Sequence, residues 1–211
     1  MTDQVAEPAS TDENRPPETG PPETGPADTA DTADTAGTRP PARVGLLAIA
    51  AGLVLAADVA TKVAAVAQLE GERPVRLLGG AAYLVLFRNS GAAFSMATGL
   101  TWLLTLIAIA VVIVIIRLAP KLRSPGWAIG LGLVLGGAAG NLVDRLFRAP
   151  GPLRGHVIDF FSVFAPDGSV FPVFNVADSA IVVGGLLLML LAVLGHDYDG
   201  TRHRGREEPA G

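Results

Sequence analysis

The segment GWAIGLGLVLGGAAGNLVDR, residues 126–145, decides the fold of this chain. It is rich in glycine and apolar side chains, and its first charged residues are Asp144 and Arg145. Since each helical residue rises about 1.5 Å, roughly 20 residues cross the hydrocarbon core of a bilayer. The segment therefore predicts a transmembrane helix whose last turn carries an acidic and a basic side chain.

Three other segments are similarly apolar, and each is long enough to cross a bilayer once its ends are included. Half of the 211 residues are hydrophobic, far more than the core of a soluble protein of this size requires. We therefore predict a membrane all-α fold, a four-transmembrane-helix bundle. The domain should cover residues 42–196, with spans at about 44–69, 99–117, 126–146 and 177–195.

The two longer connections between spans are not simply polar. Residues 74–96 contain β-branched and aromatic side chains bounded by glycine and serine, which predicts a small β-hairpin or sheet fragment. Residues 147–174 are short apolar runs separated by proline and glycine, which predicts irregular or β structure. We expect both connections to rest on the bundle at the membrane interface.

The two ends of the chain differ from this domain in composition. Residues 1–41 contain almost no large apolar side chains and repeat the sequences PPETG and ADT. Such a segment cannot bury enough apolar surface to fold, so we expect a disordered tail, followed at the other end by a polar tail over 197–211. We do not expect a secretory signal peptide, because the first apolar segment contains Asp58 and Lys62.

Lysine and arginine residues near the span ends predict the orientation in the membrane. Four spans place both termini on one side, together with the short basic connection at 117–125. We expect that side to be the cytoplasm, because it holds eight cations and the other side holds six. The eight are Arg39, Arg43, Arg117, Lys121, Arg123, Arg202, Arg204 and Arg206; the six are Arg73, Arg76, Arg88, Arg145, Arg148 and Arg154.

The same topology places four aspartates in the outer half of the bundle: Asp58, Asp144, Asp159 and Asp178. A carboxylate at membrane depth is costly unless it is paired or has a function. Asp58 and Lys62 are four residues apart on one helix face, so they form a structural ion pair or position a partner loop or substrate. Asp144 has Arg145 beside it, and with Asn141 it forms either a structural network or part of the chemistry.

Asp159 and Asp178 have no adjacent cation. Asp178 opens the fourth span, where helix capping is the structural alternative to chemistry. Two close carboxylates share a proton, so one can act as a base for water while the other polarises a carbonyl. From the residues alone, Asp144 is as plausible a member of such a pair as Asp159.

Other classes of site are poorly supplied. The chain has no cysteine and three histidines, which excludes thiol nucleophiles and zinc–thiolate sites and leaves few metal ligands. We expect no metal and no cofactor. No basic patch with interleaved aromatic residues predicts binding to nucleic acid.

Five motifs in this order resemble the family of lipoprotein signal peptidases, the type II signal peptidases of bacteria. They are Asp-x-x-Thr-Lys at 58–62, Asn-x-Gly-Ala-Ala-Phe-Ser at 89–95, Gly-Gly-x-x-Gly-Asn-x-x-Asp-Arg at 136–145, Val-x-Asp-Phe at 157–160 and Phe-Asn-x-Ala-Asp-Ser at 174–179. The resemblance covers roughly 44–195. It implies an aspartic endopeptidase of the bacterial inner membrane with an extracytoplasmic β-cradle and an active site near the outer face.

The resemblance also implies the substrate and the roles of individual residues. The substrates would be prolipoproteins, cut just before a cysteine that already carries a diacylglyceryl group. Asp159 and Asp178 would be catalytic. The supporting or substrate-positioning residues would be Asp58, Lys62, Asn89, Gly91, Asn141, Asp144, Arg145, Asn175 and Ala177.

Two functions of other classes remain as alternatives. Intramembrane acids also occur in small ion- or proton-coupled transporters, although here they cluster at one face. A scaffold subunit could use them only to lock helix packing. As a peptidase, the chain would act as a monomer, with lipidated precursors and membrane lipid as its partners.

Overall fold

The computed structural model describes residues 41–91 and 101–202. This part contains four long helices, each apolar and long enough to cross a membrane, so the predicted fold class is confirmed. Most of the predicted N-terminal tail, residues 99 and 100 of the predicted second span and the end of the C-terminal tail lie outside the described residues. The helices are α1 (Val44–Leu69), α2 (Thr101–Leu118), α3 (Pro125–Phe147) and α4 (Val176–Val193).

Helix α3 is the centre of the bundle and packs against each of the other three helices. It begins at Pro125, whose missing N–H costs nothing in a first turn, and Ser124 Oγ accepts a hydrogen bond from Trp127 N. Its glycines permit close packing: a Cβ on Gly137 would lie 2.4 Å from the carbonyl oxygen of Ala177 on α4. The quoted segment thus forms a helix that neighbouring helices can approach closely.

The bundle places apolar side chains outside and charged ones inside. Leu53 on α1 is 68% exposed and Leu186 on α4 is 60% exposed, whereas Asp58 and Lys62 are buried. This distribution suits a bundle whose outer surface contacts lipid and whose polar groups must find partners inside.

The described residues also form a three-stranded antiparallel sheet. Its strands are β1 (Val75–Leu77), β2 (Ala82–Asn89) and β3 (Val157–Val163), in the order β1-β2-β3. The first two form the predicted hairpin, and the third arises from the segment predicted as irregular or β structure. The register pairs Phe87 with Asp159, and β3 also bridges to Phe174 just before α4. The sheet therefore brings the last residues of β2 and the first residues of β3 to the start of α4.

The other end of the bundle is closed by the segment after α4. Tyr198 O accepts hydrogen bonds from the backbone of Arg123 and Ser124, in the α2–α3 connection. Trp127 Nε1 donates to His196 O at 2.7 Å. The chain after α4 is therefore tied to the short basic connection.

Candidate active site

Asp159 is a buried carboxylate in the middle of β3, only 1% exposed. One oxygen accepts a hydrogen bond from Asn89 Nδ2 at 2.9 Å, and the other accepts one from Asn175 Nδ2 at 2.7 Å. Asn89 ends β2 and Asn175 is the residue before α4. Three elements therefore meet at this carboxylate and fix its orientation.

Asp178 lies in the first turn of α4 and takes part in a capping box. Its backbone N–H donates to Asn175 Oδ1 at 2.9 Å, and its Oδ2 accepts from Asn175 N at 3.2 Å. Its Oδ1 accepts from Asn141 Nδ2 at 2.8 Å, across the α3–α4 contact. Asp178 therefore caps α4, the structural alternative raised by its position, and its contact with Asn141 holds its carboxylate beside α3.

One residue, Asn175, bonds to both aspartates. Asn175 Nδ2 donates to Asp159, while Asn175 Oδ1 accepts from the backbone of Asp178. The same Nδ2 lies 3.2 Å from Asn141 Oδ1, so the two asparagines form a bridge between β3, α3 and α4. The structure thus brings Asp159 and Asp178 together at one asparagine pair.

Lys62 is the buried cation below this bridge and is 1% exposed. Its Nζ lies 2.7 Å from Asp58 Oδ2, 3.0 Å from Asp144 Oδ2 and 2.9 Å from Asn141 Oδ1. The ammonium group therefore forms ion pairs with two carboxylates and donates a hydrogen bond to one amide oxygen. The predicted Asp58–Lys62 pair is therefore present, but it belongs to a larger cluster that reaches the asparagine bridge.

Asp58 also joins α1 to α4. Its Oδ1 accepts from the backbone N–H of Ala177 at 2.9 Å. That N–H lies in the first turn of α4, where helices leave donors without intrahelical partners. Ala177 itself is fully buried, so its role rests on its backbone and small size.

Asp144 differs from the prediction that paired it with Arg145. Its Oδ1 accepts from Arg148 Nε, and its Oδ2 accepts from Ile158 N at 3.1 Å and contacts Lys62. Asp144 and Arg145, both within the described residues, form no ion pair with each other, because adjacent helical residues point in different directions. Asp144 therefore holds the start of β3 against the end of α3, one residue before Asp159.

Arg145 points instead toward the end of β2. Its Nη2 donates to Gly91 O at 3.2 Å, and Gly91 N donates to Asn89 Oδ1 at 2.9 Å. Its Nη1 is buried and has no hydrogen-bond partner among the residues that the structure describes. A buried guanidinium nitrogen without a partner is a donor available to a bound molecule.

A cavity of about 600 Å³ opens over these groups. Most of its wall is apolar, and its polar lining consists mainly of the residues just described. Its lining comprises Asn89, Gly91, Asn141, Arg145, Val157, Asp159, Phe171, Pro172, Val173, Phe174, Asp178, Ser179, Val182 and Val183. Five of the residues predicted to support the site do not line the cavity: Asp58, Lys62, Asp144, Asn175 and Ala177.

The environment of Asp159 favours its protonated form. The pKa of Asp159 is raised to about 7, chiefly by burial and also by the nearby Asp178 carboxylate. Hydrogen bonds from Asn89 and Asn175 and the charge of Lys62 act in the opposite direction. Near neutral pH, Asp159 can therefore exchange a proton with a bound molecule.

Two contributors escaped the sequence analysis. Arg148 was not predicted as the partner of Asp144, although it lies four residues later on the same helix, which is the spacing of facing side chains. The segment from Phe171 to Phe174 carries no motif of its own apart from Phe174. Its place in the cavity wall follows only from the bridge between β3 and Phe174.

The sequence model of signal peptidase (SPase) II matches residues 50–194. The chain belongs to the signal peptidase II family. Members of this family are aspartic peptidases, and the chain is an enzyme of this class and a multi-pass membrane protein. The alternative interpretation as an ion- or proton-coupled transporter is not supported.

Several relatives of this chain are named lipoprotein signal peptidase. The protein of Rhodococcus jostii (strain RHA1) is 58% identical over 174 residues, covering 80% of this chain and 85% of the relative. The Mycobacterium avium (strain 104) protein is 54% identical over 170 residues, covering 81% and 91%. The match therefore spans most of both chains in each case.

Two solved structures, both described as bacterial membrane enzymes, share the fold. One has a TM-score of 0.62 at 23% identity and covers 80% of this chain and 99% of that chain. The other has a TM-score of 0.62 at 25% identity and covers 75% and 99%. The four-helix bundle with its small sheet is thus the fold of known membrane enzymes.

Proposed function

We propose that this signal peptidase II removes the signal peptide of prolipoproteins by cutting before a diacylglyceryl-modified cysteine, with Asp159 and Asp178 as the catalytic pair. The observation that carries this proposal is the bridge through Asn175 at an apolar cavity: its side-chain nitrogen donates to the Asp159 carboxylate and its backbone N–H donates to the Asp178 carboxylate. Hydrolysis by two carboxylates requires such a pair and no other reactive group.

The two carboxylates divide the proton transfers between them. Asp178, as the base, takes a proton from water while the water oxygen attacks the scissile carbonyl carbon. Asp159, whose pKa is raised to about 7, gives its proton to the carbonyl oxygen. When the C–N bond breaks, the proton on Asp178 passes to the leaving amine, and Asp159 regains a proton from the hydroxyl group that becomes the new carboxyl.

The polar rim of the cavity supports binding of an extended peptide. Arg145 Nη1 offers a donor for a peptide carbonyl, and its Nη2 is already fixed on Gly91 O. Asn89 holds Asp159 and Gly91 at the same time. We assign peptide positioning to Asn89, Gly91 and Arg145.

The residues behind the cavity position the catalytic pair. Lys62 joins Asp58, Asp144 and Asn141, and these residues in turn hold α4, β3 and Asp178. None of the charged groups in this cluster lines the cavity. We therefore assign Asp58, Lys62 and Asp144 a positioning role rather than a catalytic one.

The apolar wall of the cavity fits a lipidated substrate. Val182 and Val183 line the cavity and are also more than half exposed on the outer face of α4, where lipid would lie. The acyl chains of the substrate can stay in the bilayer while the peptide reaches the carboxylates. A monomer would suffice, because one chain supplies every group of the site.

We infer the orientation of the bundle in the membrane from its basic residues. The end of the bundle opposite the site carries the basic α2–α3 connection, which the positive-inside rule places in the cytoplasm. Both termini would then be cytoplasmic, and the site would face the outer side of a bacterial inner membrane.

The proposed reaction is tested with purified full-length protein and one precursor prepared with and without its diacylglyceryl group. We expect a shortened product from the lipidated precursor, and its new amino-terminal residue should be the lipidated cysteine. Equal cleavage of the unlipidated precursor would contradict the substrate assignment. Failure to cleave either precursor would contradict the proposed reaction.

A further inference from the structure

Three non-glycine residues in the described ranges have a left-handed backbone, and all three are apolar. They are Leu78 (φ 48°), Leu153 (φ 65°) and Phe164 (φ 64°). This conformation is unfavourable for L-residues with a side chain, and bulky residues rarely adopt it. Large apolar side chains at such positions indicate contacts that offset the strain.

Two of the three residues lie together at one end of the sheet. Ala81 N donates to Leu78 O at 3.3 Å, and Phe164 N donates to Ala81 O at 3.0 Å. We call residues 78–81 together with Phe164 the sheet tip. Leu78 is 85% exposed and Phe164 is 67% exposed, so neither side chain finds a core within the protein.

A cation contacts the backbone of the sheet tip. The Arg76 guanidinium donates from Nη2 to Gly79 O, and a Cβ on Gly80 would lie 2.7 Å from Arg76 Nε. Arg76 itself is exposed. Exposed apolar side chains next to an arginine match the boundary between acyl chains and headgroup phosphates of a bilayer.

Leu153, the third left-handed residue, lies at the outer end of a membrane span. Its carbonyl oxygen accepts from Thr105 Oγ1 at 2.9 Å, and Thr105 is in the second turn of α2. The sheet is tethered near the same level, because β1 begins six residues after α1 ends. An extended chain of six residues reaches about 20 Å at most.

We propose that the sheet tip is a membrane-contact site, in which Leu78 and Phe164 enter the outer leaflet and Arg76 lies among the headgroup phosphates. The contact would fix the far end of β2 and β3 on the bilayer surface and so hold the sheet that carries Asp159. This proposal does not depend on the proposed reaction, because lipid contact can be measured without a substrate.

The absence of cysteine from the chain allows a direct test. Leu78→Cys and Phe164→Cys, each in the otherwise unchanged full chain, are labelled with the environment-sensitive fluorophore NBD. The proteins are placed in nanodiscs of phosphatidylcholine and phosphatidylglycerol, with and without bromine on the acyl chains. Asp167→Cys is the control, because Asp167 is an exposed polar residue three positions after Phe164.

We expect blue-shifted NBD emission at positions 78 and 164 and at least twofold quenching by brominated lipid, with neither effect at position 167. Water-like emission without quenching at both tip positions would overturn the proposal. A second outcome would also overturn it: a blue shift that brominated lipid does not quench and that appears only when a nanodisc holds two proteins. In that case a second copy of the protein, and not lipid, would cover the sheet tip. Thermal unfolding in detergent verifies that each variant is folded, and if only one tip variant folds, its result decides.

Discussion

At the residue scale, the asparagines do as much to define the site as the aspartates. Asn175 Nδ2 binds one carboxylate, and its Oδ1 binds the backbone of the residue that carries the other. Asn141 faces Asp178 with its nitrogen and Lys62 with its oxygen. Because an amide offers donors on one side and an acceptor on the other, it can join an acid to a cation without neutralising the acid.

The pH dependence of cleavage follows from Asp159. Since the proposed mechanism needs its protonated form, kcat/KM should fall as the pH rises through about 7. Asn89→Ala removes a hydrogen bond that favours the ionised form, so the alkaline limb should move to higher pH while maximal activity decreases. A pH series of cleavage rates checks both effects.

Asp167→Asn is the matched control, because Asp167 is an exposed aspartate whose carboxylate bonds to Ser169 N. Its pH profile should match that of the unchanged protein. An alkaline limb that Asn89→Ala leaves in place, or moves to lower pH, would contradict the role given to Asp159.

The buried cation Lys62 should be important for stability. Lys62→Met leaves Asp58 and Asp144 buried without their shared countercharge, and loss of one partner of a buried ion pair costs about 3–5 kcal/mol. Arg88→Gln breaks the exposed pair with Glu70 and should change stability by about 1 kcal/mol or less. Thermal unfolding of both variants in detergent measures the difference, and equal stabilities would contradict the cluster.

At the scale of elements, α3 organises the site because its glycines let α1 and α4 approach. On the α1 side, a Cβ on Gly140 would lie 2.5 Å from Asp58 Oδ2. Asp58 in turn holds the first turn of α4 through Ala177 N. The contact between α1 and α3 therefore affects the position of Asp178 through Asp58 and Ala177.

Gly140→Ala should displace Asp58 and thereby loosen the start of α4. We expect a loss of about 1–3 kcal/mol from overpacking, together with a fall in cleavage rate. Gly52→Ala is the control, because nothing lies within 4 Å of the added methyl group on the exposed face of α1. Thermal unfolding and cleavage assays should separate the two variants, and full activity of Gly140→Ala would refute this coupling.

At the scale of the whole molecule, the sequence was enough to predict the four membrane helices and the hairpin. It was not enough to predict the cluster of Lys62 with Asp58 and Asp144. Uncharged apolar runs predict membrane helices because helix length and bilayer thickness are both fixed. The three-way contact at Lys62 depends on how α1 packs against α3, which no single segment encodes. Arg145 was paired with Asp144 as its chain neighbour, whereas side-chain direction favours Arg148.

The proposed orientation can be checked with single cysteines in the cysteine-free chain. Asp167→Cys, on the site side, should react with a membrane-impermeant maleimide on cells whose cytoplasmic membrane is intact and accessible. Lys121→Cys, at the opposite end of the bundle, should react only after the membrane is opened. The reverse pattern would contradict the assignment of both termini to the cytoplasm.

The central claim is that Asp159 and Asp178 together perform the hydrolysis. The most direct measurement is the cleavage rate of a lipidated precursor by Asp159→Asn, Asp178→Asn and the exposed control Asp167→Asn, each verified as folded by thermal unfolding. We predict that the first two variants lose cleavage by at least a thousandfold and that the control keeps it. Full cleavage by a folded Asp159→Asn or Asp178→Asn variant would contradict the account.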